Sequence, residues 1–188
     1  MSDLSIGLGA LERSRSQLSV SAYFDESLFR REQELIFDSA PRYLGHELAV
    51  PSIGDHHALP QEGEGRALIR TPRGVELVSN VCRHRQAVML RGRGNTGNHI
   101  VCPLHRWTYD LGGQLIGAPH FPEDPCLHLN NYRLQSWNGL LFEQREGGRD
   151  VAADLAGLGP RRELAFAGYQ FDRAVQHECD YNWKTFIE

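Results

Sequence analysis

Residues 82–110 read CRHRQAVMLRGRGNTGNHIVCPLHRWTYD. Two short arms stand out in this stretch, Cys82-x-His84 and Cys102-x-x-His105, with seventeen residues between them. Each arm offers one thiol and one imidazole. The first follows directly on an apolar, β-branched run, VELVSNV (75–81), and the second on HIV (99–101), so both arms read as loop tips delivered by strands. Cysteines spaced this tightly with histidines read as metal ligands rather than as halves of disulfides.

The mixed pairing narrows the metal. A [2Fe–2S] centre of mixed ligation uses two cysteines on one iron and two histidines on the other. Zinc also accepts two cysteines and two histidines, but its arms more often group like with like. The reading is therefore a [2Fe–2S] cluster on Cys82, His84, Cys102 and His105, with zinc as the rival. The other two cysteines, Cys126 and Cys179, have no histidine at motif distance and read as buried small hydrophobes or inert thiols.

Working outward, the surrounding segments are short strands. LGHELAV (44–50) comes first, followed by a polar loop, SIGDHHALPQEGEG, which holds His56-His57 as a solvent-exposed pair. ALIRT (67–71) and VELVSNV flank Pro72-Arg73-Gly74 as a hairpin. Arg91 to Gly97 reads as a loop, WTYD-LGG-QLI as a tight hairpin, and YRLQSWN (132–138) with LLFEQ (140–144) as closing strands around Asn138-Gly139. The fold class is mainly β: an antiparallel sandwich or barrel with ligand loops. Before it, Phe24 to Phe37 carries a helical pattern with Asp25 as N-cap and an apolar face, so this helix should dock on a domain. After it come a linker at REGGRD (145–150), a brief helix VAADLAGL (151–158), a strand YQFDRAVQHECD, and YNWKTFIE as the first turns of a last helix. That helix stops in mid-pattern without a cap, so the chain reads as truncated. The expected division is a flexible N-terminus and helix over 1–40, the cluster domain over 41–148, and a linker with the beginning of a further domain over 149–188.

Composition excludes several classes. Net charge is −4 and the isoelectric point about 6.1, which gives no footprint for nucleic acid or an anionic membrane. The first twenty residues lack a continuous apolar core, and no run approaches the ~18 apolar residues of a membrane span. A cytoplasmic protein is expected.

CRHR followed by CPLHRWTYDLGGQLIGAP resembles the Rieske domain of ring-hydroxylating (Rieske non-haem iron) oxygenase α-subunits, over roughly residues 30–188. NWK followed by FIE is similar to the start of that family's catalytic α+β domain. The resemblance implies electron relay to a mononuclear Fe(II) that activates O₂ and oxidises an aromatic or similar organic substrate. The Fe(II) ligands would lie outside this chain. It also implies a ferredoxin or flavin reductase as donor, a homo-trimer or other homo-oligomer of the full-length protein, and electron exit through His105 to a neighbour's carboxylate. Arg83, Arg85, Trp107 and Pro119 would surround the cluster, Pro119 on a covering loop with His120. Two positions depart from the family: Gln86 and Arg106 stand where it usually has Gly. Respiratory Rieske proteins carry an extra cysteine in each arm, at the positions of Ala87 and Leu104, and a cluster-bonding serine where this chain has Trp107. Fewer hydrogen bonds to the sulfurs imply a potential of roughly −150 mV rather than +300 mV. The alternative is a stand-alone Rieske ferredoxin, which needs little beyond residues 41–145.

No acidic residue lies between Leu77 and Tyr109, but five arginines do: Arg83, Arg85, Arg91, Arg93 and Arg106. They are expected to form a basic collar for an acidic electron donor. His99, His120 and His128 are expected to pack or hydrogen-bond rather than ligate, and His177 and Glu178 to play no catalytic part.

Overall fold

The computed structural model describes residues 18–144, 147–159 and 162–187, so the expectations for the extreme N-terminus, for part of the REGGRD linker and for Glu188 lie outside the described residues. Two compact units are present, one from Met1–Asp38 with His177–Glu188 and one from Ser39–Gln176.

The larger unit holds eleven strands among the described residues: β1 (Arg42–His46), β2 (Asp55–Ala58), β3 (Arg66–Thr71), β4 (Gly74–Ser79), β5 (Arg93–Asn95), β6 (His99–Val101), β7 (Thr108–Asp110), β8 (Leu115–Gly117), β9 (Asn131–Tyr132), β10 (Leu134–Trp137) and β11 (Leu140–Glu143). They form three antiparallel sheets, ordered β1-β11-β10, β5-β2-β3-β4-β9 and β6-β7-β8. Strand alternation explains why the five-stranded sheet is apolar on both faces. Ala67, Ile69 and Val78 join one core with Ile100, Trp107 and Tyr109, while Leu68 and Leu77 join a second core with Leu44, Val50 and Leu141. The hairpins fall where expected. β3 and β4 pair down to Thr71 opposite Gly74. Asn138 and Gly139 both take positive φ (49° and 80°), the two-residue turn that matches strand twist.

Two expected loops are strands. Asp55–Ala58 is an inner strand between β3 and β5, and Arg93–Asn95 is the edge strand beside it. His56 and His57 are therefore buried, not solvent-exposed. The ring of His57 meets Phe171 edge-on at 5.6 Å, and Gly94 leaves room for the His56 ring. Burial first, and for His57 the nearby Arg93 and His56 as well, holds both imidazoles below their ordinary value of 6.5. Both therefore bind protons less readily folded than unfolded. The stability they permit is whole above about 6.5 and falls as pH drops from there toward the folded values. The thermal midpoint should accordingly fall between pH 7.5 and 5.5, and less so in a His56→Gln, His57→Gln variant. An identical pH slope in that variant would contradict this.

α2 (Val151–Leu155) falls inside the expected helix and is capped by Asp150. The segment expected as a strand at 169–180 carries no strand hydrogen bonds. Phe166 and Phe171 hold its approach through ring contacts with His46 and His57. Cys126 and Cys179 are exposed, not buried.

In the smaller unit, α1 (Glu26–Glu32) begins at Asp25, whose carboxylate accepts from Ser27 N and Leu28 N, and it continues as a π-helical turn over Gln33–Phe37. α3 (Trp183–Ile187) lies in the same unit. Lys184 is buried, and its ammonium lies 2.8 Å from both carboxylate oxygens of buried Glu32. Trp183 Nε1 donates to the same carboxylate at 3.1 Å, and Phe37 meets the Trp183 ring edge-on. The expected docking is thus partial, because Phe24 remains 81% exposed.

Candidate metal centre

The two arms are copies of one loop. Val81 bridges Val88 across Cys82–Ala87, and Val101 pairs Thr108 across Cys102–Trp107. In each loop the cysteine N–H donates to the carbonyl five residues on, Ala87 (2.9 Å) or Trp107 (2.8 Å). Its carbonyl accepts from the N–H four residues on, Gln86 (2.9 Å) or Arg106 (3.1 Å). Closing the loop this way puts Gln86 and Arg106 in the left-handed region, at φ 56° and 60°. This is the physical reason a glycine suits both positions. Glycine there should be tolerated, whereas valine should cost about 1–3 kcal/mol by denaturant titration, since a β-branched residue resists positive φ. Equal stability of the Gly and Val variants would refute the strain.

Cys82 and Cys102 are buried free thiols within the first core. His84 and His105 meet with ring centroids 4.7 Å apart. His84 Nδ1 is buried without a hydrogen-bond partner, an orphan that a metal ion would satisfy. Burial, then His105 and Arg85, keep this imidazole below its usual value, which favours the neutral, ligating form. Among the described residues no three His, Cys, Asp or Glu side chains group tightly enough for one ion. A centre with two ligands per iron does not require such a group. The donor set therefore fits a [2Fe–2S] cluster.

Trp107 is fully buried and lies flat on the His84 ring, with centroids 4.9 Å apart and planes 5° from parallel. From the loop after β8, Phe121 touches both rings edge-on, at 5.8 Å from His84 and 5.1 Å from Trp107. Pro119 and His120 of that loop are exposed. Tyr109, also fully buried, accepts from Arg83 N–H at 3.2 Å, which leaves its own proton for Cys82 Sγ at 3.6 Å. Burial, then the Cys82 thiol, push this phenol up, so it remains a neutral donor. Tyr109 and Phe121 were missed from sequence. A signal for Tyr109 existed, since Trp107, Tyr109 and Leu111 alternate onto one strand face. Tyr109→Phe should lower the potential by roughly 20–60 mV, the worth of one hydrogen bond in a one-electron couple. An unchanged redox titration would show that the hydroxyl does not act on the sulfur.

The five arginines separate. Arg91 pairs with Glu64 at 2.8 Å, and the Arg93 guanidinium lies over the Phe171 ring at 4.4 Å. Arg83, Arg85 and Arg106 are exposed on the loop tips beside Leu104, which is 61% exposed. His128 Nδ1 accepts from Leu115 N–H at 3.0 Å, and His99 lies exposed in β6.

Comparison with known proteins agrees with this geometry. The profile of the Rieske [2Fe-2S] domain matches residues 43–137. Putrescine 2-hydroxylase of Ralstonia nicotianae is 62% identical over the whole chain and 50% of its own length. Putrescine 2-hydroxylase of Bordetella bronchiseptica is 55% identical over 93% of this chain and 43% of its own. The structure of naphthalene 1,2-dioxygenase from Rhodococcus sp. bound to indole superposes with a TM-score of 0.58 at 28% identity, covering 71% of this chain and 33% of that one. The chain spans about half the length of the curated relatives it matches. Among the described residues no helix is long and apolar enough to cross a membrane.

Proposed function

Because this chain belongs to the Rieske [2Fe–2S] family and is homologous to oxygenase α-subunits over their N-terminal part, we propose that Cys82, His84, Cys102 and His105 hold the cluster of an amine-hydroxylating oxygenase. We place the cluster domain at 41–148, within the larger unit of Ser39–Gln176. The observation that carries the reading is the pair of congruent loops, which bring two buried thiols and two touching imidazoles to one place. When bound, the cluster supplies one electron at a time. Hydroxylation of a C–H bond by O₂ consumes two electrons and two protons and releases water, so two such deliveries serve one turnover.

The residues divide the remaining work. Cys82 and Cys102 keep their sulfurs away from water. Trp107 and Phe121 wall His84, and His105 is the exit toward a second subunit of a trimer or other homo-oligomer. Tyr109 holds a proton at Cys82 Sγ. Arg83, Arg85 and Arg106 receive an acidic ferredoxin or flavin reductase in the cytoplasm. Identity to two putrescine 2-hydroxylases favours a small aliphatic diamine as substrate.

Turnover of the complete protein tests this. With putrescine, O₂ and a reducing system it should form one hydroxylated product per O₂, and no product should form after Cys82→Ser. Hydroxylation of some other amine but not putrescine would replace the substrate, whereas product formation by Cys82→Ser would overturn the relay. The donor contact has its own test. Reduction by an acidic ferredoxin should slow as salt rises from about 0.1 to about 1 M, where the Debye length shrinks from ~10 to ~3 Å. A rate independent of salt would remove the arginines from the contact.

A further inference from the structure

Five buried side-chain nitrogens lack a hydrogen-bond partner among the described residues, and two of them, His84 Nδ1 and Trp107 Nε1, lie at the proposed cluster site. They differ in kind. An imidazole nitrogen presents a lone pair, which an iron ion satisfies. An indole nitrogen can only donate, and a metal ion offers it nothing. Trp107 is fully buried, so water does not reach its N–H, and a buried indole N–H without an acceptor is costly. Its plane rests on the His84 ring, 4.9 Å away and 5° from parallel, which fixes the indole against one ligand. Both Cys82 and Cys102 belong to the core cluster that contains Trp107. An orphan lone pair and an orphan proton on two stacked rings are both satisfied by a group that is electrophile and acceptor at once. Iron bridged by sulfur meets both needs, whereas a lone zinc ion meets only the first.

We propose that Trp107 is a positioning residue whose indole N–H donates a hydrogen bond to a sulfur of the [2Fe–2S] centre. The inference rests on the reading that the site holds that centre. The bond stabilises the more negative, reduced state and so favours electron uptake. Together with Tyr109 on Cys82 Sγ, it gives the cluster two side-chain donors from alternate positions of one strand and its lead-in.

The experiment uses the cluster-loaded protein with its tryptophans labelled by ¹⁵N in the indole ring. Among the described residues Trp107 stacks on the ligand residue His84, and Trp183 Nε1 is bound to Glu32. In the reduced state, electron–nuclear double resonance should show a ¹⁵N coupling to the cluster spin. Trp107→Phe keeps a ring on His84 and removes the N–H. At a fixed ambient potential its reduced-to-oxidised ratio should fall about tenfold, which is 59 mV for a one-electron couple. A cluster signal without ¹⁵N coupling overturns the proposal and leaves the cluster reading intact. That result would place the N–H on the face of Phe121, which meets Trp107 at 5.1 Å. Absence of any iron–sulfur signal overturns both. The labelled wild-type protein decides the question even if Trp107→Phe does not fold.

Discussion

Cys102→Ser should remove bound iron and sulfide altogether and lower the thermal midpoint of the larger unit. The thiol occupies the first position of its loop, where its backbone N–H and carbonyl close the turn onto Trp107 and Arg106. Serine preserves that backbone and its hydrogen bonds, so the loss isolates the sulfur itself. A hydroxyl is a far weaker iron ligand than a thiolate, and changes to residues around a metal site cost only 10–100-fold in affinity by comparison. The effect extends to the fold because Cys82 and Cys102, each 1% exposed, belong to the core that also contains Ile69, Val78 and Ile100. Where ligands line a core, metal binding free energy is also folding free energy. Iron and sulfide assays with a melting curve check both halves. A serine variant that keeps its full complement of sulfide would exclude Cys102 as a ligand.

Glu32→Ala is expected to have the second large effect, confined to the smaller unit. It strands the Lys184 ammonium, only 6% exposed, and removes the acceptor of Trp183 Nε1. Breaking one half of a buried pair costs more than removing both, because an unpaired charge remains out of water. Amide hydrogens of α1 and α3 should therefore exchange faster, on the order of tenfold, in Glu32→Ala. Much of that protection should return in Glu32→Leu combined with Lys184→Met. The pair also sets a pH dependence. The hydrogen bond from Lys184, then that from Trp183, hold the Glu32 carboxyl below its ordinary value of 4.5 against an opposing burial effect. The stabilisation is complete above about 4.5 and is lost as pH falls through the lower folded value. Exchange rates in the single variant equal to wild type would show the contact to be idle.

The two Cys–His arms were legible as loop tips because the strands before them are β-branched. The Asn138-Gly139 turn was legible because positive φ at both positions leaves few residue choices. β2 was hidden by its own chemistry, since Asp-His-His-Ala looks like a polar loop unless both faces of its sheet are known to be covered. β5, Arg-Gly-Asn, has no apolar alternation to detect and is held by pairing with β2. Arg91 and Arg93 stay exposed but find Glu64 and Phe171, partners distant in sequence that no local pattern announces. Glu32 and Lys184 lie 152 residues apart and match no local pattern. The unsatisfied N–H of Trp107 is visible only once the fold is known.

In our proposal two congruent loops hold one binuclear cluster between two thiolates and two imidazoles. Iron and acid-labile sulfide analysis of the anaerobically purified protein, with nitrogen couplings read from the reduced state, tests it most directly. Two irons and two sulfides per chain are expected, with couplings from two histidine nitrogens, and loss of the cluster signal in both His84→Ala and His105→Ala. One zinc per chain with no sulfide, or a cluster whose couplings survive both substitutions, would contradict it.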